Sequence, residues 1–87
     1  MSIIEFGGFF YRSERVATAA FLEWYLNTRV DATETADGVF KTLQRDIADR
    51  EVKRYDWLTD DLIRSELPAA LKQAQFNDDR AAENLAE

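Results

Sequence analysis

Residues 14–26 carry apolar side chains around almost the whole circumference of a helix, and that run dictates how the other residues must be arranged. Val16, Ala17, Ala20, Phe21, Trp24 and Tyr25 recur at three- and four-residue spacing, with Leu22 and Leu26 as a second flank. Its only charges are Glu14, Arg15 and Glu23, and Ser13 stands where an N-cap would, with a carboxylate in the first turn. A helix this apolar is covered by neighbours on more than one side, so it is expected at the centre of the molecule.

The remaining segments read as its cover. Asp31-Ala32-Thr33-Glu34 matches a capping box. Ala36, Phe40, Leu43 and Ile47, with Val39 beside them, form an apolar stripe opposite Lys41, Gln44, Arg45, Asp46, Asp49 and Arg50. Gly38 costs about 1 kcal/mol in a helix interior, so it marks either a late start near Asp37 or a close crossing. A third helix is expected over 56–66, with Trp57, Leu58, Leu62 and Ile63 inward. Pro68 suits the first turn of a new helix better than an interior, and Asn77 reads as the cap of a short turn over 78–86. Ahead of all this, Gly7-Gly8 breaks the run 2–11, which therefore reads as an extended arm, with too little strand-like sequence elsewhere for a stable sheet. The expectation is an all-α fold: one domain over 1–87, a compact bundle of about four short helices (13–87) crossed by an extended, aromatic-rich N-terminal arm (1–12).

Composition bounds the chemistry. The 87 residues include no histidine and no cysteine, which removes the Ser-His-Asp and Cys-His nucleophile systems, thiolate zinc sites and disulfides. Tyr11, Tyr25 and Tyr55 have no identifiable partner base, and there is no glycine-rich phosphate loop, so no enzyme activity and no cofactor are expected. The net charge of −6 argues against nucleic acid and against an anionic membrane, and favours a larger protein with a basic surface as partner. The same charge also serves simply to keep a small protein apart from its copies. Arg45, Arg50, Lys53 and Arg54 form a small basic run, but Asp46, Asp49 and Glu51 interleave it. The charge is unevenly placed: residues 1–29 balance three acids with three bases, whereas residues 30–87 hold 14 acids and 8 bases. No stretch approaches the ~18 apolar residues of a membrane span, and the start carries no basic leader, so a cytoplasmic location is expected.

Two groups of residues stand out as candidate binding sites. Seven of the 11 aromatic residues fall in the first 25 positions, and Phe6, Phe9, Phe10 and Tyr11 in the arm are hard to hide in so small a domain. They serve as this chain's own core, as a self-association surface, or as an anchor on another protein. The second group is acidic: Asp56, Asp60, Asp61 and Glu66, joined by Asp78 and Asp79, form a prospective negative surface for a basic partner. Spacing of four places Asp56 and Asp60 on one face of the expected helix, but no calcium-binding loop motif is present. The plainer reading has Asp56 or Thr59 capping that helix, its acidic first turn matched to the dipole, and no metal.

Phe21-x-x-Trp24, Gly38, Asp46 and Tyr55-x-x-Leu58-x-x-x-Leu62, spread over about half of the chain, resemble small bacterial sterile-alpha-motif-like helical domains. That resemblance implies an interaction module of unspecified partner. The functional expectation is a small acidic interaction protein that binds and blocks a larger one, of the stoichiometric-inhibitor type carried by phages and mobile elements for anti-defence or immunity. The alternative is a structural subunit or obligate homodimer.

Overall fold

The computed structural model describes residues 3–30 and 34–86, except for the side chains of 78–86. The chain opens with a β-hairpin, β1 (Ile4–Phe6) and β2 (Phe9–Tyr11), followed by α1 (Glu14–Thr28), α2 (Ala36–Ala48) and α3 (Asp60–Ala86). The fold is mostly helical, but two corrections follow. The arm is a two-stranded antiparallel sheet rather than a single extended segment, and three helices, not about four, are found among the described residues.

The hairpin owes its existence to the pair that was read as a breaker. Gly7 and Gly8 both hold positive φ, 63° and 84°, as the two central residues of a type I′ turn must. That turn matches the twist of the flanking strands and pairs Phe6 with Phe9, Glu5 with Phe10 and Ile4 with Tyr11. The Gly8 N–H also donates to Glu5 Oε1 at 3.0 Å. A lone hairpin is marginal in water. This one is stabilised by docking its Ile4 and Phe6 face on α1.

The α1 helix starts as its sequence requires, with Ser13 Oγ accepting from the Val16 N–H at 3.1 Å. Its buried stripe is Ala17, Thr18, Phe21, Leu22, Tyr25 and Leu26, so Leu22 and Leu26 are core. Val16, 52% exposed, and Trp24, 40% exposed, are not. Both the hairpin and α3 pack on this helix, which occupies the central position expected of it. The Thr18 hydroxyl, fully buried, donates back to the Glu14 carbonyl at 2.7 Å and is satisfied there.

The α2 helix begins at Ala36, close to the late start that Gly38 marked. Thr35 is the cap, its Oγ1 accepting from the Gly38 N–H at 3.1 Å. The capping box expected from Asp31 to Glu34 falls largely outside the described residues, and Glu34 itself precedes the helix. Val39 and Leu43 are buried, with Ala36, Phe40 and Ile47 half-buried beside them. The helix ends in a Schellman motif: the Glu51 N–H reaches the Asp46 carbonyl at 2.8 Å and the Arg50 N–H reaches that of Ile47 at 3.2 Å. Arg50 takes the left-handed conformation this needs, at φ 63°.

The sequence expectation fails most plainly at α3. Thr59 caps it, Asp60 and Asp61 open it, and it runs 27 residues straight through Pro68. The missing Pro68 N–H leaves the Arg64 carbonyl without its usual helical donor, a cost of about 3 kcal/mol. Burial along the same face offsets that cost: Ile63, Leu67, Leu71 and Ala74 all enter the core. Each large side chain so buried contributes about 1.5–3 kcal/mol. Neither a new helix at Pro68 nor a cap at Asn77 forms. The connection between α2 and α3 is also part of the core, through Val52 and Leu58.

Candidate interaction surface

The two faces of the hairpin have opposite fates. Phe6 faces inward and is the hub of an aromatic cluster. It meets Phe21 at 5.6 Å, Tyr55 at 5.7 Å, Trp24 at 6.2 Å and Trp57 at 6.3 Å between ring centroids, all edge-on. These geometries suit the ring quadrupoles and add about 0.5–1.5 kcal/mol per pair beyond burial. Tyr55 and Trp57 stack at 4.9 Å, and the Lys53 ammonium lies 5.1 Å from the Tyr55 ring centre. Phe6 is thus committed to the protein's own core, and Tyr11 is half-buried on the same face.

Phe9 and Phe10 are different. Phe10 pairs with Glu5 on the face turned away from α1 and is 73% exposed. Phe9 shares the face of its partner Phe6 yet is 68% exposed. Ile3, also 68% exposed, precedes β1. Of the four arm aromatics singled out from sequence, the structure therefore brings two out to solvent and takes two, wholly or in part, inward. Ile3 was missed by sequence reasoning. The strand alternation that places it opposite to Ile4 becomes readable only once Gly7-Gly8 is taken as a hairpin turn.

The acidic group also divides. Asp56 lies in the connection before α3, so it does not share a helical face with Asp60; the spacing of four there is not helical. Asp56, Asp60 and Asp61 are all exposed around the N-terminus of α3, and Asp60 Oδ1 accepts from Gln44 Nε2 at 2.7 Å. None of the three belongs to an ion pair among the described residues, where the salt bridges are Arg15–Glu66, Arg29–Glu51 and Lys41–Asp37. Glu66 is only 20% exposed and bonded to Arg15 at 3.1 Å, tying α3 to the start of α1 rather than joining the acidic corner. The side chains of Asp78 and Asp79 lie outside the described residues. Among those described, no group of three or more carboxylates converges as a metal site would.

One carboxylate that the sequence placed in solvent does structural work. Asp46, on what read as the polar face of α2, is half-buried and accepts a 2.6 Å hydrogen bond from the Tyr25 hydroxyl. Burial, and then the hydrogen bond and charge of Asp46, push the Tyr25 hydroxyl well above its usual pKa range. Tyr25 is therefore a neutral donor that links α1 to α2. On the far side of α2, the Arg64 guanidinium sits 4.1 Å above the Phe40 ring, joining α3 to α2.

The concave features are modest. A cleft of about 320 Å³ between α1 and α3 is floored by Ala19, Ala70 and Ala74 and rimmed by Glu23 and Gln73. A smaller one of about 210 Å³ lies by Phe40, Arg64 and Pro68. No helix among the described residues is long and apolar enough to cross a membrane. What the fold presents is thus a small apolar hairpin face at one end and, on the helical body, an acidic corner without ion pairs among the described residues. Comparison with protein-family models, with curated proteins and with solved structures returns no match.

Proposed function

We propose that the protein is a non-enzymatic interaction protein that binds a larger protein through that protein's basic surface and blocks it, as a stoichiometric inhibitor of the anti-defence or immunity type. The observation that carries this reading is the acidic corner: Asp56, in the connection, and Asp60 and Asp61, which open a long helix, are exposed and free of ion pairs among the described residues. Rigid carboxylates lose little entropy when they meet Arg or Lys on a partner, and their field speeds the encounter. Residues 30–87 carry the whole net charge, so the segment that presents these carboxylates attracts bases and repels acids.

The test is retention of a partner by the native chain and by the triple variant Asp56→Lys, Asp60→Lys, Asp61→Lys at low salt. Loss of the same partner from the variant, together with a 1:1 titration of that partner's activity by the native chain, supports the reading. Unchanged retention, or binding without any loss of the partner's activity, overturns it. A second reading, a self-associating structural subunit, draws on the exposed side chains of β2 instead.

A further inference from the structure

We propose that two copies of this chain join by antiparallel pairing of β2 with β2 about a two-fold axis at Phe10, forming one continuous four-stranded sheet. This rests on the self-association reading and is independent of the acidic corner.

The backbone provides the first reason. Phe6 and Phe9 flank a two-residue turn and so exchange hydrogen bonds, as do Ile4 and Tyr11 two residues further on. Glu5 and Phe10 are then the non-bonded pair, which turns the N–H and C=O of Phe10 outward from the hairpin. The outer edge of β2 therefore offers a free donor and acceptor on its central residue. Proteins guard such edges with charged side chains, proline or a bulge, and Phe9-Phe10-Tyr11 has none of these.

The proposed register is self-complementary. Centring on Phe10 makes it its own partner, bonded to its copy by two reciprocal hydrogen bonds, and sets Phe9 opposite the Tyr11 of the second copy. The exposed Phe10 gains an aromatic cross-strand neighbour on the outer face. The exposed Phe9 gains one on the inner face. Both exposed side chains of β2 are covered by one operation.

Charge and space agree. Residues 1–29 are electrically balanced, so two copies meet there without the repulsion that any contact between the acidic bodies would bring. Because α1 packs chiefly under β1, the two α1 helices would lie beneath the outer strands. Those strands would stand three spacings apart, about 14 Å, room enough for helices that pack at about 8–10 Å. Phe9 and Phe10 expose on the order of 300 Å² per copy, so the pair buries at most about 600 Å² of side chain. That is below the ~1,200 Å² of a stable interface, and it fixes the expected dimer as weak and concentration-dependent.

Because the chain has no cysteine, the geometry can be read by cross-linking. Bonded antiparallel partners stand about 5.5 Å apart at Cα, within disulfide reach. Phe10→Cys should therefore oxidise to a covalent dimer, whereas Glu5→Cys, about 14 Å from its copy across the joined sheet, should not. In sedimentation equilibrium over a hundredfold range of concentration, the native chain should move from monomer towards dimer. Phe10→Pro, which removes the outward N–H together with the ring, and Phe10→Arg, which opposes two like charges on the axis, should both stay monomeric. A native chain that is monomeric throughout overturns self-association altogether and leaves β2 to a different protein. A dimer that survives Phe10→Pro and Phe10→Arg, or that cross-links equally through Glu5→Cys, overturns the β2 pairing while self-association stands.

Discussion

The hairpin with the α1 face beneath it and the acidic body of α2 and α3 solve the same burial problem with different materials. At the first end, the Phe6 ring meets those of Phe21, Trp24, Tyr55 and Trp57 edge to face. In the body, Val39, Leu43, Ile63, Leu67 and Leu71 form an aliphatic layer, tied at its margins by Tyr25 to Asp46 and Gln44 to Asp60. The first end is charge-balanced and leaves Phe9 and Phe10 uncovered; the body holds the net negative charge and leaves Asp56 and Asp61 without ion pairs among the described residues. Each end is therefore suited to a different contact. Neutral apolar surface tolerates a second copy of itself, whereas an acidic surface excludes its copy and selects bases.

The sharpest way to break that comparison lies within four residues of β-hairpin. Phe6→Ala should cost about 3 kcal/mol, because the ring it deletes is the contact between the hairpin, α1 and the segment around Tyr55. Phe10→Ala should change the stability of the dilute monomer by less than about 0.5 kcal/mol, since its ring is largely in water. Urea denaturation of both variants checks this, and equal losses would mean that the hairpin has no inner and outer face.

That division also marks how far the sequence could be read. The centrality of α1, the Ser13 cap and the stripe on α2 were legible because helical spacing and cap chemistry are local. Pro68 misleads because its local cost is real. Only the tertiary burial of Leu67 and Leu71 on either side of it outweighs that cost, and no local rule reports this. The hairpin misleads for a different reason. Gly7-Gly8 is a breaker for a helix and a type I′ turn for a strand pair, and strands three residues long give too little alternation to decide. Of the candidate site residues, Phe9, Phe10, Asp56, Asp60 and Asp61 are exposed, while Phe6 and Glu66 are engaged within the molecule. Residue type alone does not separate an anchor from a core ring.

A smaller effect tests the seam between the two regions. Tyr25→Phe removes the donor to Asp46 and should cost about 1–2 kcal/mol. It should also change the response to pH. The folded state holds the Tyr25 proton more tightly than the unfolded chain, whose tyrosine titrates near 10. The contribution is thus fully present below about pH 10 and is lost as pH rises beyond it. Thermal melts between pH 7 and 11 should show a decline at the alkaline end for the native chain and a flatter one for Tyr25→Phe. Identical slopes would mean that the hydroxyl is not the group holding α1 to α2.

The smallest effects concern backbone handedness, which is the same at one turn of each region while the residues differ. The hairpin puts glycine at its left-handed positions, with nothing within 4 Å of a Cβ added at Gly7 or Gly8, so any cost of substitution there is conformational rather than steric. Gly7→Ala should therefore cost about 1 kcal/mol. The body ends α2 with the same handedness but uses Arg50, which bears that strain in the native chain. Arg50→Gly should then stabilise by about 0.5 kcal/mol, less than Gly7→Ala costs, because glycine also loses more freedom on folding. Gly38 gives the contrast: it lacks a left-handed φ, and an added Cβ would meet Thr35 Oγ1 at 3.1 Å and Glu34 Oε2 at 2.9 Å. The gain in helix propensity from Gly38→Ala should be cancelled by disturbance of the Thr35 cap, leaving stability within about 0.5 kcal/mol of native. A full gain of about 1 kcal/mol on calorimetry would show that the cap at Thr35 contributes nothing to the start of α2.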